Sequence, residues 1–315
     1  MDEEILESLD ISIIIVNFKS FEITKDTIES LKKFSEGFSY EVIVVDNASR
    51  DGSAEKLMVE FPDCKFILND ENRGFGPANN QGLQTATGEF ILFLNNDIIF
   101  VENTLQILLQ YLSEQKGRIL IAPKLLNKDG SVQHSVYSFQ TLWLSFTTYS
   151  FLFRIFPRSK YFNRHYLMHR GINEITEVET ITGAFMLFKR EDVLELDGFD
   201  EDYFFYGEDN DLCKRFRDSE GKIIYYPETK IIHLKGGTLK TGWFHQKHHT
   251  LSVLNLFKKH YSFPKRVLAH ILFFAGNLVR GILLLIAWLF TFKTRYFRET
   301  LSKFRTLLLI TKIAK

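Results

Sequence analysis

The chain has 315 residues, 45% of them apolar and 25% charged, with 39 basic and 39 acidic side chains. This suffices for one large globular domain and an appendage, and excludes a disordered or fibrous chain. Two cysteines, Cys64 and Cys213, without Cys-x-x-Cys spacing exclude a disulfide framework and a zinc knuckle.

In chain order, Ile11–Asn17 is an apolar run ending in a polar residue, predicted as a buried strand. Residues 20–34 carry helical spacing. Glu41-Val-Ile-Val-Val-Asp46-Asn47 is a second strand that ends in a carboxylate, and a helix follows to about Phe61, capped by Asp51 or Ser53. Lys65-Phe-Ile-Leu-Asn69 is a short third strand. The turn Asn72-Arg73-Gly74-Phe75-Gly76-Pro77 leads into a helix over 78–85. Gly74-Phe-Gly76 lacks the third glycine of a dinucleotide fingerprint. Phe90–Leu94 reads as a strand buried on both faces and stops at Asn95-Asn96-Asp97. Ligands of open α/β sheets sit beyond such carboxyl ends. A carboxylate there suits Mg²⁺ or Mn²⁺ bridging to phosphates; alternatively, Asp97 caps a helix over 102–116. Strands alternating with helices over about 100 residues predict a Rossmann-like, mostly parallel sheet flanked by helices.

Further strands are expected within 118–134. Residues 135–178 are irregular and rich in Arg and aromatics, either core or the lining of a binding surface. Glu179–Lys189 reads as one strand and residues 190–196 as a short helix. Gly207-Glu208-Asp209-Asn210-Asp211 then leads into an amphipathic helix over 212–218, and two strands end at His233.

These pieces together resemble a family 2 glycosyltransferase of the GT-A fold, of the rhamnosyltransferase-like branch. The resemblance covers roughly residues 10–260. It rests on Ile13-Ile-Ile-Val-Asn17-Phe18, Val45-Asp46-Asn47-Ala-Ser49-Arg-Asp51-Gly52-Ser53, Asn72-Arg73-Gly74-Phe75 and Leu94-Asn95-Asn96-Asp97. Thr182-Gly183-Ala184, Gly198-Phe199-Asp200, Gly207-Glu208-Asp209-Asn210-Asp211 and His233-x-x-Gly236-x-Thr238 complete it. It implies a GT-A body over 1–257, with a nucleotide-sugar half at 10–100 and an acceptor half at 101–257. By the same resemblance Asp97 and His233 bind Mg²⁺ or Mn²⁺. The family's usual Asp-x-Asp has Asn95 in place of its first acid, which leaves fewer charged ligands. Asn17, Asp46, Arg73, Asn95 and Asn96 match donor-binding positions. Asp46, as an acceptor-only group, suits the N3–H of uracil or thymine alike. Asp209 matches the general base and Glu208 its partner. Asp211, Gly183 and Ala184 are acceptor-side candidates. The bland alternatives are a surface arginine for Arg73, a backbone-bonded strand-end histidine for His233, and first-turn helix acids for Asp209 and Asp211. One base and no nucleophile imply inversion. The implied donor is dTDP-L-rhamnose, the alternative a UDP-hexose, and the implied acceptor a lipid-linked saccharide of a bacterial surface polysaccharide. A nucleotidyltransferase would need glycines that Asn17-Phe-Lys-Ser-Phe lacks. A non-catalytic sugar-nucleotide scaffold is opposed by the intact Asp97, Asp209 and His233.

Residues 258–315 hold 12 Lys/Arg and one acid, Glu299, leaving 27 basic and 38 acidic residues in 1–257. A basic, Leu/Ile/Phe-rich tail predicts a helical appendage associating with an anionic membrane surface, not nucleic acid. Residues 267–292 are long enough to cross a bilayer, but Arg280 near the middle favours shallow insertion. The acidic start Met1-Asp-Glu-Glu shows no signal-peptide pattern, so the body is expected at the cytoplasmic face of the inner membrane. A homo-oligomer is compatible with all of this but not specified by it.

Overall fold

The computed structural model of the chain describes residues 10–163, 173–234 and 243–313. Arg164, Tyr166, Arg170 and the Gly236–Thr238 part of the closing motif lie outside them. The described residues form two compact units, one of 10–137, 173–204 and 208–234, the other of 138–163, 205–207 and 243–313.

The first unit is built on a nine-stranded sheet. Its strands are β1 (Ile11–Asn17), β2 (Tyr40–Asp46), β3 (Lys65–Leu68), β4 (Phe90–Leu94), β5 (Ile98–Phe100), β6 (Ile119–Leu126), β8 (Thr176–Glu177), β10 (Phe185–Lys189) and β11 (Lys222–His233). A two-residue pair, β7 (Val136–Tyr137) with β9 (Thr180–Ile181), lies apart. The order is β3-β2-β1-β4-β10-β6-β11-β5, with β8 added to β11. β3, β2, β1 and β4 are all parallel, and β1, β2 and β4 carry the near-continuous apolar runs of strands covered on both faces, with β3 the more exposed edge. β10 enters antiparallel between β4 and β6 and makes the sheet mixed.

The register sets the site. Asn17 pairs with Asp46, and Ile15 with Leu94, so the polar ends of β1, β2 and β4 emerge along one rim. The chain runs from β1 outward to β3, then returns to the other side of β1 at β4. That reversal is where open α/β sheets bind ligands. Below the rim, every residue of β4 is buried, and Phe93 stacks with Phe188 and Phe199 at 5.7 and 4.7 Å.

Several elements depart from expectation. The strand expected at 179–189 is two, because residues 182–184 leave the ladder. The strands at 222–227 and 230–233 are one, with a bulge between Tyr226 and Lys230. The helix expected from 78 begins at Phe75, and that expected from 212 begins at Glu208. Residues 98–100 form β5, and the helix after it, Thr104–Glu114, is capped by Asn103, which accepts from Gln106 N–H. Asp97 is therefore not that helix's cap.

At the opposite end of the sheet, Glu41 is buried. It accepts from Ser12 Oγ (2.6 Å) and from the Thr87 N–H and hydroxyl (both 2.8 Å), and pairs with Lys65. Burial raises its pKa, but the hydrogen bonds from Lys65, Ser12 and Thr87 outweigh this and hold it at about 2, against an ordinary 4.5. A depressed folded-state pKa adds stability above the unfolded value and loses it as pH falls through the folded one. We expect Glu41→Gln to be less stable than the parent at pH 7 in urea unfolding. The gap should narrow between pH 4.5 and about 2. A gap independent of pH would exclude the carboxylate as its source.

The second unit is helical: Leu142–Tyr149, Leu152–Ile155, Trp243–His260, Phe263–Thr291 and Thr294–Ile313. Pro264 sits in the first turn of the fourth helix, where its missing N–H costs nothing. That helix, 29 residues, is long and apolar enough to cross a membrane.

Candidate active site

At the ends of β1 and β2 the side chains are committed inward. Asn17 is fully buried. Its amide donates to Asp46 Oδ1 (2.7 Å), Ser49 Oγ and Ser53 Oγ (3.2 Å each), and its oxygen accepts from Thr24 (2.9 Å). The expected direct contact of Asn17 with a donor is therefore not available to its side chain; it holds Asp46. Asp46 also takes the Ser49 hydroxyl (2.5 Å) and N–H (2.9 Å), and is 4% exposed. A carboxylate offers about four acceptor positions, and these three bonds leave one. The loop they hold is strained at Ala48 and Arg50, which have positive φ, while Gly52 takes a positive φ freely. Asn47 ties this loop to the next, accepting from Arg73 N–H (3.0 Å) and donating to Gly74 O (3.0 Å). The Arg73 side chain is exposed.

At the end of β4, Asn96 faces the helix Phe21–Lys33. Its amide donates to Thr24 Oγ (2.9 Å) and its carbonyl accepts from Thr27 (2.7 Å), so it anchors the turn instead of facing a ligand. Asn95 Nδ2 lies 3.5 Å from His233 Nε2, and Asp97 Oδ1 lies 3.1 Å from the same nitrogen. His233 reaches Asp97 because β11 pairs antiparallel with β5, His233 opposite Ile98.

The other side of the imidazole is occupied by Gln133, a residue not singled out in the sequence. His233 Nδ1 is 2.6 Å from Gln133 Oε1. The Gln133 amide is oriented by its own donors: Nε2 donates to Asn127 Oδ1 (2.9 Å) and to His233 O (3.0 Å). Oε1 is thus an acceptor, and Nδ1 must carry the hydrogen. Nε2 is left facing the Asp97 carboxylate, where a ring proton or a bound cation satisfies both atoms. An imidazole nitrogen with a carboxylate oxygen, the former backed by an amide carbonyl, suits Mn²⁺ or Mg²⁺. Among the described residues no third His, Cys, Asp or Glu joins them, so a cation there would need oxygens from a ligand.

Asp209 stands in the first turn of the helix Glu208–Asp218. Its Oδ2 accepts from Gly183 N–H (3.0 Å), and Oδ1 from Asn210 N–H (2.7 Å) and amide (3.0 Å). A Cβ on Gly183 would come within 3.2 Å of Asp209 Cβ, so glycine permits this approach. Burial raises the pKa of Asp209 despite these donors. Burial first, and then the charge of Asp209, push Glu208 up to about 8, so it is mostly protonated at neutral pH. Gly183 and Ala184 are buried, and Ala184 O accepts from Asn95 N–H (3.0 Å). They are connectors joining Asp209 to Asn95, in place of the acceptor contacts expected of them. Asp211 is also no acceptor ligand: it is fully buried and paired with Arg215 Nε at 2.7 Å. Arg215 in turn ties down Leu196 O and Gly198 O (both 2.8 Å).

The result is one bonded path, Asp209–Gly183–Ala184–Asn95–His233–Asp97, along the sheet rim. It connects a carboxylate able to take a proton to a pair able to hold a cation.

Comparison with known proteins bears on what this rim serves. A profile of glycosyl transferase family 2 matches residues 12–195, and one described as the N-terminal domain of galactosyltransferase matches 168–236. Rhamnosyltransferase WbbL of Escherichia coli K12 is 29% identical over 229 residues, 70% of this chain and 82% of that protein. An N-acetylglucosaminyl-diphospho-decaprenol L-rhamnosyltransferase of Mycobacterium tuberculosis is 24% identical over 205 residues, 62% of this chain and 66% of that protein. The match thus spans just under two thirds of the mycobacterial relative. Two solved structures share the fold. GalNAc-T7 with UDP, GalNAc and Mn²⁺ has a TM-score of 0.55 at 14% identity, over 79% of this chain and 48% of that one. Staphylococcus aureus TarS 1–349 with UDP has 0.53 at 16%, over 82% and 68%.

Proposed function

The chain belongs to glycosyl transferase family 2, and from that premise we propose that it transfers L-rhamnose from dTDP-L-rhamnose, with inversion, to a lipid-linked saccharide of a bacterial surface polysaccharide. The work is done at the cytoplasmic face of the inner membrane. Both named relatives are rhamnosyltransferases, and the mycobacterial one carries a diphospho-decaprenol acceptor in its name.

The observation that carries the mechanism is the Asp97–His233 pair, preset by Gln133 and bonded through Asn95 to the Asp209 segment. Asp97 and His233 would hold a divalent cation, which when bound would supply charge neutralisation to the departing diphosphate. Asp46 presents its last acceptor position to the N3–H of the base. Asp209 accepts the proton of the attacking hydroxyl, and neutral Glu208 beside it adds no competing charge. Direct attack with one base and no enzyme nucleophile inverts the anomeric centre.

Thermal unfolding with a panel of nucleotide sugars tests this. dTDP-L-rhamnose with Mn²⁺, at about 100 times its dissociation constant, should stabilise the protein by about 2.7 kcal/mol, and much less without metal. A shift with UDP-hexoses alone would move the donor, and none with any would leave a non-catalytic scaffold. Gln133→Leu should weaken Mn²⁺ binding about 10–100-fold in an electron paramagnetic resonance titration with dTDP present. Unchanged affinity would remove Gln133 from the site.

A further inference from the structure

The two units divide the charge of the chain unequally. The described residues of the helical unit, 138–163, 205–207 and 243–313, hold 15 Lys and Arg and one carboxylate. That carboxylate, Glu299, is paired with Arg295. The asymmetry seen in the tail thus extends to residues 138–163, a segment that ends 95 residues before the tail begins.

Packing explains why this segment belongs with the tail. The helix Leu142–Tyr149 lies against the helix Phe263–Thr291. Tyr149 fills the space over Gly276, where a Cβ would come within 2.1 Å of its ring, and stacks on Phe273 at 4.8 Å. Tyr261 Oη donates to Gln140 O (2.7 Å). Arg280, costly in a lipid-facing position, turns inward instead. It donates to Thr148 O (2.6 Å) and lies over the rings of Tyr149 and Phe151 at 4.8 and 4.9 Å.

What the segment leaves outside is aromatic and basic. Trp143 is 51% exposed and Tyr161 79%. Trp143 stacks with Phe146 and Phe162 at 5.6 and 5.9 Å, and its indole N–H donates to Tyr161 O (3.0 Å). Phe156 joins Phe162 at 5.1 Å. Arg154, Ile155, Arg158 and Lys160 are exposed around them. A patch of this size calls for a partner. Trp and Tyr with flanking cations match the headgroup layer of a bilayer, where an aromatic ring has one wet and one apolar side. A body with 15 cations to one carboxylate matches anionic lipid.

We infer that residues 138–163 and the C-terminal helices form one lipid-binding body, with the aromatic patch around Trp143 seated among the headgroups of an anionic bilayer. This deepens the membrane reading given above. It assigns residues 142–162 to lipid, where sequence left open core or the lining of a binding surface.

The test uses the full chain with Trp243→Phe and Trp288→Phe, so that Trp143 is the only indole left. Vesicles of phosphatidylcholine alone, or mixed with phosphatidylglycerol, are added. Expected are sedimentation with the anionic vesicles only, a blue shift of Trp143 emission, and quenching by lipids brominated on their acyl chains. Arg158→Gln with Lys160→Gln should weaken binding about thirtyfold with the helical circular dichroism unchanged. If the protein sediments while Trp143 emission stays unmoved and unquenched, the aromatic anchor is wrong and the tail alone binds. Equal binding to neutral vesicles would overturn the role of charge. No sedimentation would overturn both this inference and the membrane reading, and a nucleic acid retained in its place would reassign the cations.

Discussion

Asp209→Asn should lower the turnover of sugar transfer about 10²–10⁴-fold, the usual worth of a positioned base, and leave donor binding intact. Asparagine keeps the shape and one oxygen to accept from Gly183 N–H, but its NH2 gives up the two bonds that Asp209 Oδ1 takes from Asn210. Burial has already moved Asp209 above the ordinary aspartate range, toward a more effective base. Glu208 responds differently. With its pKa near 8 it is neutral at pH 7, and glutamine imitates that form. As pH rises through 8 in the parent, Glu208 ionises beside Asp209, and the rate should fall on that limb; Glu208→Gln should keep the rate near pH 7 and lose the limb. Full turnover in Asp209→Asn would end its assignment as base.

The second large effect belongs to Asp97. Asp97→Ala removes the carboxylate that, among the described residues, faces His233 Nε2. Charge neutralisation at a leaving group contributes several kcal/mol, and each 1.36 kcal/mol is tenfold in rate. A loss of about 10³-fold or more is expected, together with loss of the metal-dependent part of the thermal shift. Because Asp97 is not a helix cap, its removal should leave the Thr104–Glu114 helix in place, which circular dichroism can check. Metal dependence equal to that of the parent would place the cation elsewhere.

Much of this site could be read without a structure. The apolar runs of β1, β2 and β4 name the buried strands, and the abrupt change to Asn17, Asp46 and Asn95–Asp97 marks their carboxyl ends. Gln133 could not be read. It stands 100 residues from His233, in a stretch that looks like an ordinary strand, and the two meet only because Gln133 folds back on the end of β6, which pairs with β11. Asp211 carried a legible signal, because Arg215 four residues on is its helical neighbour. The helix start at Glu208 was hidden by four polar residues without periodicity. Residues 142–155 hid theirs among aromatics, and their place beside the C-terminal helices is made by Gly276 and Arg280, far along the chain.

The antiparallel insertion of β10 has a consequence for how the chain is made. β4 is complete by residue 94, but its second ladder partner spans 185–189. Until that partner arrives, a nascent chain presents one open edge of its most apolar strand, the template on which wrong strands pair. Non-local closure of this kind is slow and exposes the intermediate to aggregation. Residues 10–100 are therefore not a domain that can be cut free. Any fragment ending before residue 189 should be made insoluble by the same strand that, in the whole protein, carries Asp97 to the rim.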